Sequence, residues 1–223
     1  MGSAGLAPQN RPPCTRRPFI LIALLVLPLL IGPEVQGVAR WFALGSFSLN
    51  SGLTLISLIA VLSAWNEDLG PYSLLLALDV VTFQPDAAST LALTGAAFGL
   101  ALANRDRRAR AIGAVGVFAT AWASLTPNLP PQPFVEGVIP AVWSVSPIVA
   151  IALALSLIAS LALILSASGD PRAPRFTLAG AMAGFVAAAL LRDYPAPLIG
   201  YGAASIIGLG LALPAIRSEE TGT

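Results

Sequence analysis

Asp79 is the clearest ionisable group inside an apolar run, Leu74-Leu75-Leu76-Ala77-Leu78-Asp79-Val80-Val81-Thr82-Phe83. It stands eight residues from Pro71 and six from Pro85, near the middle of a membrane helix. A charge at that depth costs at least about 2.5–3.5 kcal/mol, so an intramembrane carboxyl is a functional hypothesis from the outset. Thr82 lies one turn along the same face, and Leu75 and Leu76 flank it. Such a pair suits a proton relay or a cation site; its purely structural counterpart is a hydrogen bond that fixes helix register. No Lys, His or Arg of the apolar runs is available as a partner, so the carboxyl is expected to be protonated or bonded to a hydroxyl or carbonyl. The run 71–84 is short, which leaves open a wetter position near one interface.

The second cluster is Asn104-Arg105-Asp106-Arg107-Arg108-Ala109-Arg110. Arg105, Arg107, Arg108 and Arg110 can bind anionic headgroups at roughly 1 kcal/mol each, or dock an acidic cytoplasmic partner. A plainer role needs no partner: basic loops hold topology.

Much other chemistry is closed. The chain has no His and no Lys, so all twelve basic residues are Arg. That excludes imidazole-held haem or zinc, Ser-His-Asp triads, Schiff-base lysines and P-loop lysines. Cys14 is the single cysteine and offers neither a disulfide nor a metal cluster. Glu67, Asp68, Asp106 and Asp170 show no catalytic spacing. The hydroxyls of 144–160 and 51–57 are expected to bond their own helices, with Asn50 an N-cap. Arg192 with Asp193, and Glu34 with Arg40, are expected as exposed pairs at helix termini. No cofactor, metal or nucleic acid is expected.

The elements that must position these groups follow from composition. Of 223 residues, 56% are hydrophobic and 10% charged, and the mean hydropathy is +0.81. A soluble domain carries roughly a quarter charged residues, so the chain is expected to be an all-α integral membrane protein. Eight apolar runs stand out, 18–31, 51–65, 71–84, 87–103, 111–125, 147–167, 176–191 and 197–216. Several fall short of the roughly 20 residues that cross a 30 Å core, so they must extend into their flanks or thin the bilayer. Residues 38–49, for instance, can prolong the second helix outward. The weakest span is 71–84, which can instead be re-entrant.

Charge favours a crossing there. With eight spans, ten arginines fall on one side and only Arg40 and Arg192 on the other, which fits the positive-inside rule with both termini cytoplasmic. Trp41, Trp122, Trp143 and Tyr194 then lie near the outer interface, and Trp65, Tyr72 and Phe176 near the inner one. Residues 1–17 read as a disordered cytoplasmic leader, 18–216 as the polytopic domain and 217–223 as a cytoplasmic tail. A cleaved signal with 35–37 as its site, or a twin-arginine signal at Thr15-Arg16-Arg17, is the rival reading. Five prolines in 126–146 predict an extended, polyproline-like outer strap.

Small-residue pairs Gly95/Gly99, Gly113/Gly116 and Gly180/Gly184 allow close helix approach. Packing within one compact bundle is the default, and a homo-oligomer or a membrane-protein partner is the other use. No convincing internal repeat and no family motif is visible. The expected function is therefore a non-catalytic component of a bacterial inner membrane: a scaffold, assembly factor or accessory subunit. The alternative is a small-solute or proton-coupled transporter using Asp79. The Arg-only, Ala-rich composition fits a GC-rich bacterial genome.

Overall fold

Proline and capping side chains decide where the helices begin. In the computed structural model, which describes residues 16–34, 38–45, 47–125, 135–167, 169, 171–192, 194–199 and 202–217, the order is α1 (Arg17–Ile31), β1 (Trp41–Leu44), β2 (Phe47–Asn50), α2 (Ser51–Ala64), α3 (Gly70–Phe83), α4 (Ala87–Asn104), α5 (Arg107–Ala123), α6 (Val138–Val145), α7 (Pro147–Ser166), α8 (Arg172–Leu191) and α9 (Ala203–Ala215). Prolines occupy the first turn of α1, α3 and α7, where a missing N–H breaks no intrahelical bond. Asn50, Asp86 and Asp106 cap α2, α4 and α5 through their side chains. Among the described residues, α4, α7 and α8 are long and apolar enough to cross a membrane, and α1, α2, α3 and α9 are shorter apolar helices. The fold is that of a helical multi-pass membrane protein.

Antiparallel hairpins give the bundle two ends. At one, Ser51 Oγ donates to Gln84 Oε1 at 3.5 Å; at the other, Ser73 Oγ donates to Ser63 Oγ at 2.6 Å. These two bonds make α3 coextensive with α2. The first end also carries the β1–β2 ribbon and is called the hairpin end. The second carries the α4–α5 turn and is called the arginine end.

The centre of the bundle is the α4–α8 seam, and it is made by glycine. A methyl group on Gly95 would collide with the Gly180 carbonyl, one on Gly99 with the Phe176 carbonyl, and one on Gly184 with the Leu91 backbone. The backbones touch at three successive levels, so these two small-residue pairs serve packing within the chain. Gly113 and Gly116 likewise let α5 close on Phe98 and Thr94 of α4. Leu25, Ile56, Ile59, Leu74, Leu78 and Leu93 fill the core beside the seam. By contrast α7 is an outer helix, with Ile148 80% and Leu163 70% exposed. An apolar outer surface of this kind suits lipid rather than water.

Two expectations fail. Residues 38–49 do not prolong α2: Trp41 pairs with Asn50 and Leu44 with Phe47 in an antiparallel ribbon. Trp41, Phe42 and Phe47 favour strand, and Gly45 takes the turn at φ +62°, a region closed to most side chains. The chain is therefore not wholly α. Nor is all of 126–146 an extended strap, because Val138–Val145 forms α6. Pro140 is its third residue, where a missing N–H is tolerated. Residues 126–134, with the other four prolines of that strap, lie outside the described residues, as do 1–15 with Cys14, the proposed cleavage site 35–37, Asp170, Asp193 and 218–223.

Candidate functional site

The densest buried polar cluster lies at the hairpin end and is built by four connections. Arg40 enters immediately before β1, Asn50 closes β2, Gln84 and Asp86 form the α3–α4 turn, and Tyr194 follows α8. The turn is tight because Pro85 cannot continue α3 and Asp86 is extended, ready to cap α4. Arg40 is 7% exposed and Asp86 1%. Two opposite charges are thus held away from solvent, with Arg40 Nη1 3.6 Å from Asp86 Oδ1.

Asp86 is fully occupied. Its Oδ1 accepts the backbone N–H of Ala88 at 3.2 Å and of Ser89 at 3.3 Å. Its Oδ2 accepts from Ser89 Oγ at 2.8 Å and from Asn50 Nδ2 at 3.4 Å. Asn50 in turn caps α2 by accepting Leu53 N–H at 2.9 Å. Gln84 Nε2 donates to the Leu25 carbonyl of α1 at 2.6 Å. One network therefore ties α1, α2, α3, α4 and the ribbon together.

Arg40 is less completely served. Its guanidinium lies over the Trp41 ring at 4.8 Å and the Tyr194 ring at 5.6 Å, the arrangement in which an aromatic face stabilises a cation. Its Nε is buried with no hydrogen-bond partner. Burial raises the Tyr194 pKa above its ordinary value and the Asp86 charge adds to that, while Arg40 opposes both. With its lone pairs taken, Asp86 is a latch rather than a free base. Among the described residues no three acidic or thiol side chains converge in a way that holds a metal.

The residues singled out from sequence lie elsewhere. Asp79 is exposed on the outward side of α3 and has no hydrogen bond or ion pair among the described residues. Thr82 does not reach it; its hydroxyl donates to the Leu78 carbonyl of its own helix at 2.7 Å. Of the two expectations for Asp79, the bond to a hydroxyl or carbonyl is absent among the described residues. At the arginine end, Arg105, Arg107 and Arg110 are exposed. Arg108 instead bridges two turns, donating to the Glu67 carbonyl at 2.9 Å and to Asp106 Oδ2 at 3.2 Å. Burial pushes the Asp106 carboxyl up, but the Arg108 bonds outweigh it and hold it below its ordinary value.

Arg40 is not the exposed partner of Glu34 that spacing suggests; it turns inward to Asp86. Arg192 reaches the Ser124 carbonyl at 2.6 Å, joining the ends of α8 and α5. Sequence reading missed Asp86 altogether. Its signal was there: a carboxylate left in the two-residue gap between two apolar runs, on the side expected to hold just two arginines.

No family model and no curated protein sequence matches the chain. Solved structures do match in fold. The Thermus thermophilus rod shape determining protein RodA, as wild type and as a D255A mutant, superposes with a TM-score of 0.64 at 23% identity, over 94% of this chain and 79% of that one. A chain from a structure of a peptidoglycan synthase complex superposes with a TM-score of 0.61 at 22% identity, over 93% of this chain and 82% of that one. The chain thus has the multi-pass helical membrane fold seen in RodA.

Proposed function

We propose that the chain is a non-catalytic polytopic component of cell-wall synthesis in a bacterial inner membrane, assembled there with a membrane-protein partner. The carrying observation is the fold likeness to RodA over 94% of the chain. The likeness to a chain of a peptidoglycan synthase complex supports the partner. The non-catalytic reading rests on chemistry. Asp86 has no free lone pair for proton transfer, Asp79 has no base beside it, and the chain contains no His or Lys. The topology proposed is eight crossings with both termini cytoplasmic. In its support, α3 is as tall as α2, and the arginine end gathers Arg105, Arg107, Arg108 and Arg110. The fold likeness lends the transport reading no support.

The test is affinity purification of the natively expressed protein in mild detergent, with mass spectrometry of what stays bound and a glycan polymerisation assay. A cell-wall synthase at fixed stoichiometry, with no polymer made by the chain alone, is the expected result. A solitary monodisperse species sinks the assembly reading. Polymer made by the purified chain overturns the non-catalytic one and makes it an enzyme.

A further inference from the structure

Asp79 lies on a stripe of α3 that the fold leaves uncovered. Tyr72, Leu76 and Phe83 share that stripe at 51%, 44% and 78% exposure, at the spacing that sets side chains on one helix face. The position is deep. At about 1.5 Å per residue, Asp79 lies about 4 Å from the centre of α3. The neighbouring α1 is bonded to Gln84 through Leu25 and continues six residues beyond it, to Ile31. The carboxyl thus sits below the polar layer of Gln84 and Asp86, on an apolar surface. Among the described residues no arginine pairs with it.

We propose that this face of α3 docks a transmembrane helix of a different membrane protein, one that carries an Arg or Lys near its mid-span. An acid in lipid with no internal partner is neutralised best by a basic group at the same depth, and Leu76 and Phe83 supply the surrounding apolar contact. A second copy docked through the same face sets another Asp79 against the first and supplies no cation there. This rests on the reading of the chain as part of an assembly and adds the chemistry of its partner.

The experiment places a photo-crosslinking residue at Leu76 in native host membranes, with and without Asp79→Leu. The expected adduct is with one membrane protein whose crosslinked helix bears a mid-span Arg or Lys. Asp79→Leu is expected to lower adduct yield and co-purification about tenfold, and replacing the partner's basic residue with Leu as well is expected to restore both. Among the described residues Asp79 makes no hydrogen bond or ion pair that Leu would break, so the purified variant is expected to melt in detergent no lower than wild type. An adduct with a second copy, with lipid alone or with a helix lacking a basic residue overturns the proposal. A partner kept undiminished by Asp79→Leu removes this inference and leaves the assembly reading standing; no partner at all removes both.

Discussion

Replacing Asp86 tests whether the hairpin end is held by a desolvated charge pair. In Asp86→Ala the α4 cap is lost, which costs about 1 kcal/mol. The Arg40 guanidinium, 7% exposed and 3.6 Å away, is left without its counter-charge. Removing one partner of a buried pair costs about 3–5 kcal/mol, because the other charge stays out of water. The total expected is about 4 kcal/mol, since the two losses share one carboxylate. Asp86→Asn separates them: Asn caps as well as Asp, so the cap survives and about 3 kcal/mol is lost. In Arg40→Met/Asp86→Asn no charge is stranded, and the unpartnered Arg40 Nε goes too. The double variant is therefore expected to be more stable than Asp86→Asn alone. Reversible unfolding in mixed detergent and dodecyl sulfate micelles gives the three free energies. A double variant no more stable than Asp86→Asn, or a cost below about 0.5 kcal/mol for Asp86→Asn, would show that the pair is solvated and the reasoning wrong.

Three further outcomes can be measured on the same protein. Gly95→Ala drives a methyl into the Gly180 carbonyl and is expected to cost at least about 1–3 kcal/mol, whereas Gly210→Ala meets open space and is expected to be silent; equal effects would mean that the α4–α8 seam is not tight. Tyr194 ionises above its ordinary 10.0 in the fold, so its stabilisation is complete below about pH 10 and is lost as pH rises through the folded value; Tyr194→Phe is expected to flatten that alkaline slope. Asp106 has the opposite sign. Its folded pKa lies below 3.8, so its contribution is present above about pH 4 and fades as pH falls through the lower folded value, and Asp106→Asn is expected to flatten the acid limb.

The fold class was legible because each apolar run and each small-residue pair carries its own physical signature. The glycine pairs Gly95/Gly99 and Gly180/Gly184 can be read from spacing, as can the cap at Asn50 and the prolines that open α1, α3 and α7, although that the two glycine pairs meet each other cannot. The ribbon was not legible in the same way. Residues 41–50 are apolar enough to pass for a helix extension, and only Gly45 and the aromatics argue otherwise. Arg40 and Asp86 stayed hidden for another reason. They are 46 positions apart in sequence, and local spacing says nothing about two loops that meet only after α2 and α3 have packed. Asp79 stands out in the sequence as a charge within an apolar run, but hydropathy cannot tell which side of a helix faces the bundle, and Asp79 faces away from it.

The two ends of the bundle are held by different physics, which bears on how an assembly forms. At the hairpin end Arg40 and Asp86 are out of water, where salt screens poorly. Their network reaches five elements, so that end moves as one piece. At the arginine end an exposed link is Arg108 on the carbonyls of Glu67 and Asp68, with the partly buried Asp106 beside it. Exposed pairs contribute between about 0 and 1 kcal/mol and weaken with salt. Salt therefore weakens the tie between the α2–α3 and α4–α5 turns, but α3 stays bonded to α2 through Ser73 and Ser63, and Tyr72, under Arg108 at 5.9 Å, lies at the foot of the same α3 face that carries Asp79. The hairpin end thus fixes the height of Asp79 through Gln84 and Leu25, while at the other end salt is expected to loosen Arg108 from the α2–α3 turn and to leave the buried Ser73–Ser63 bond in place.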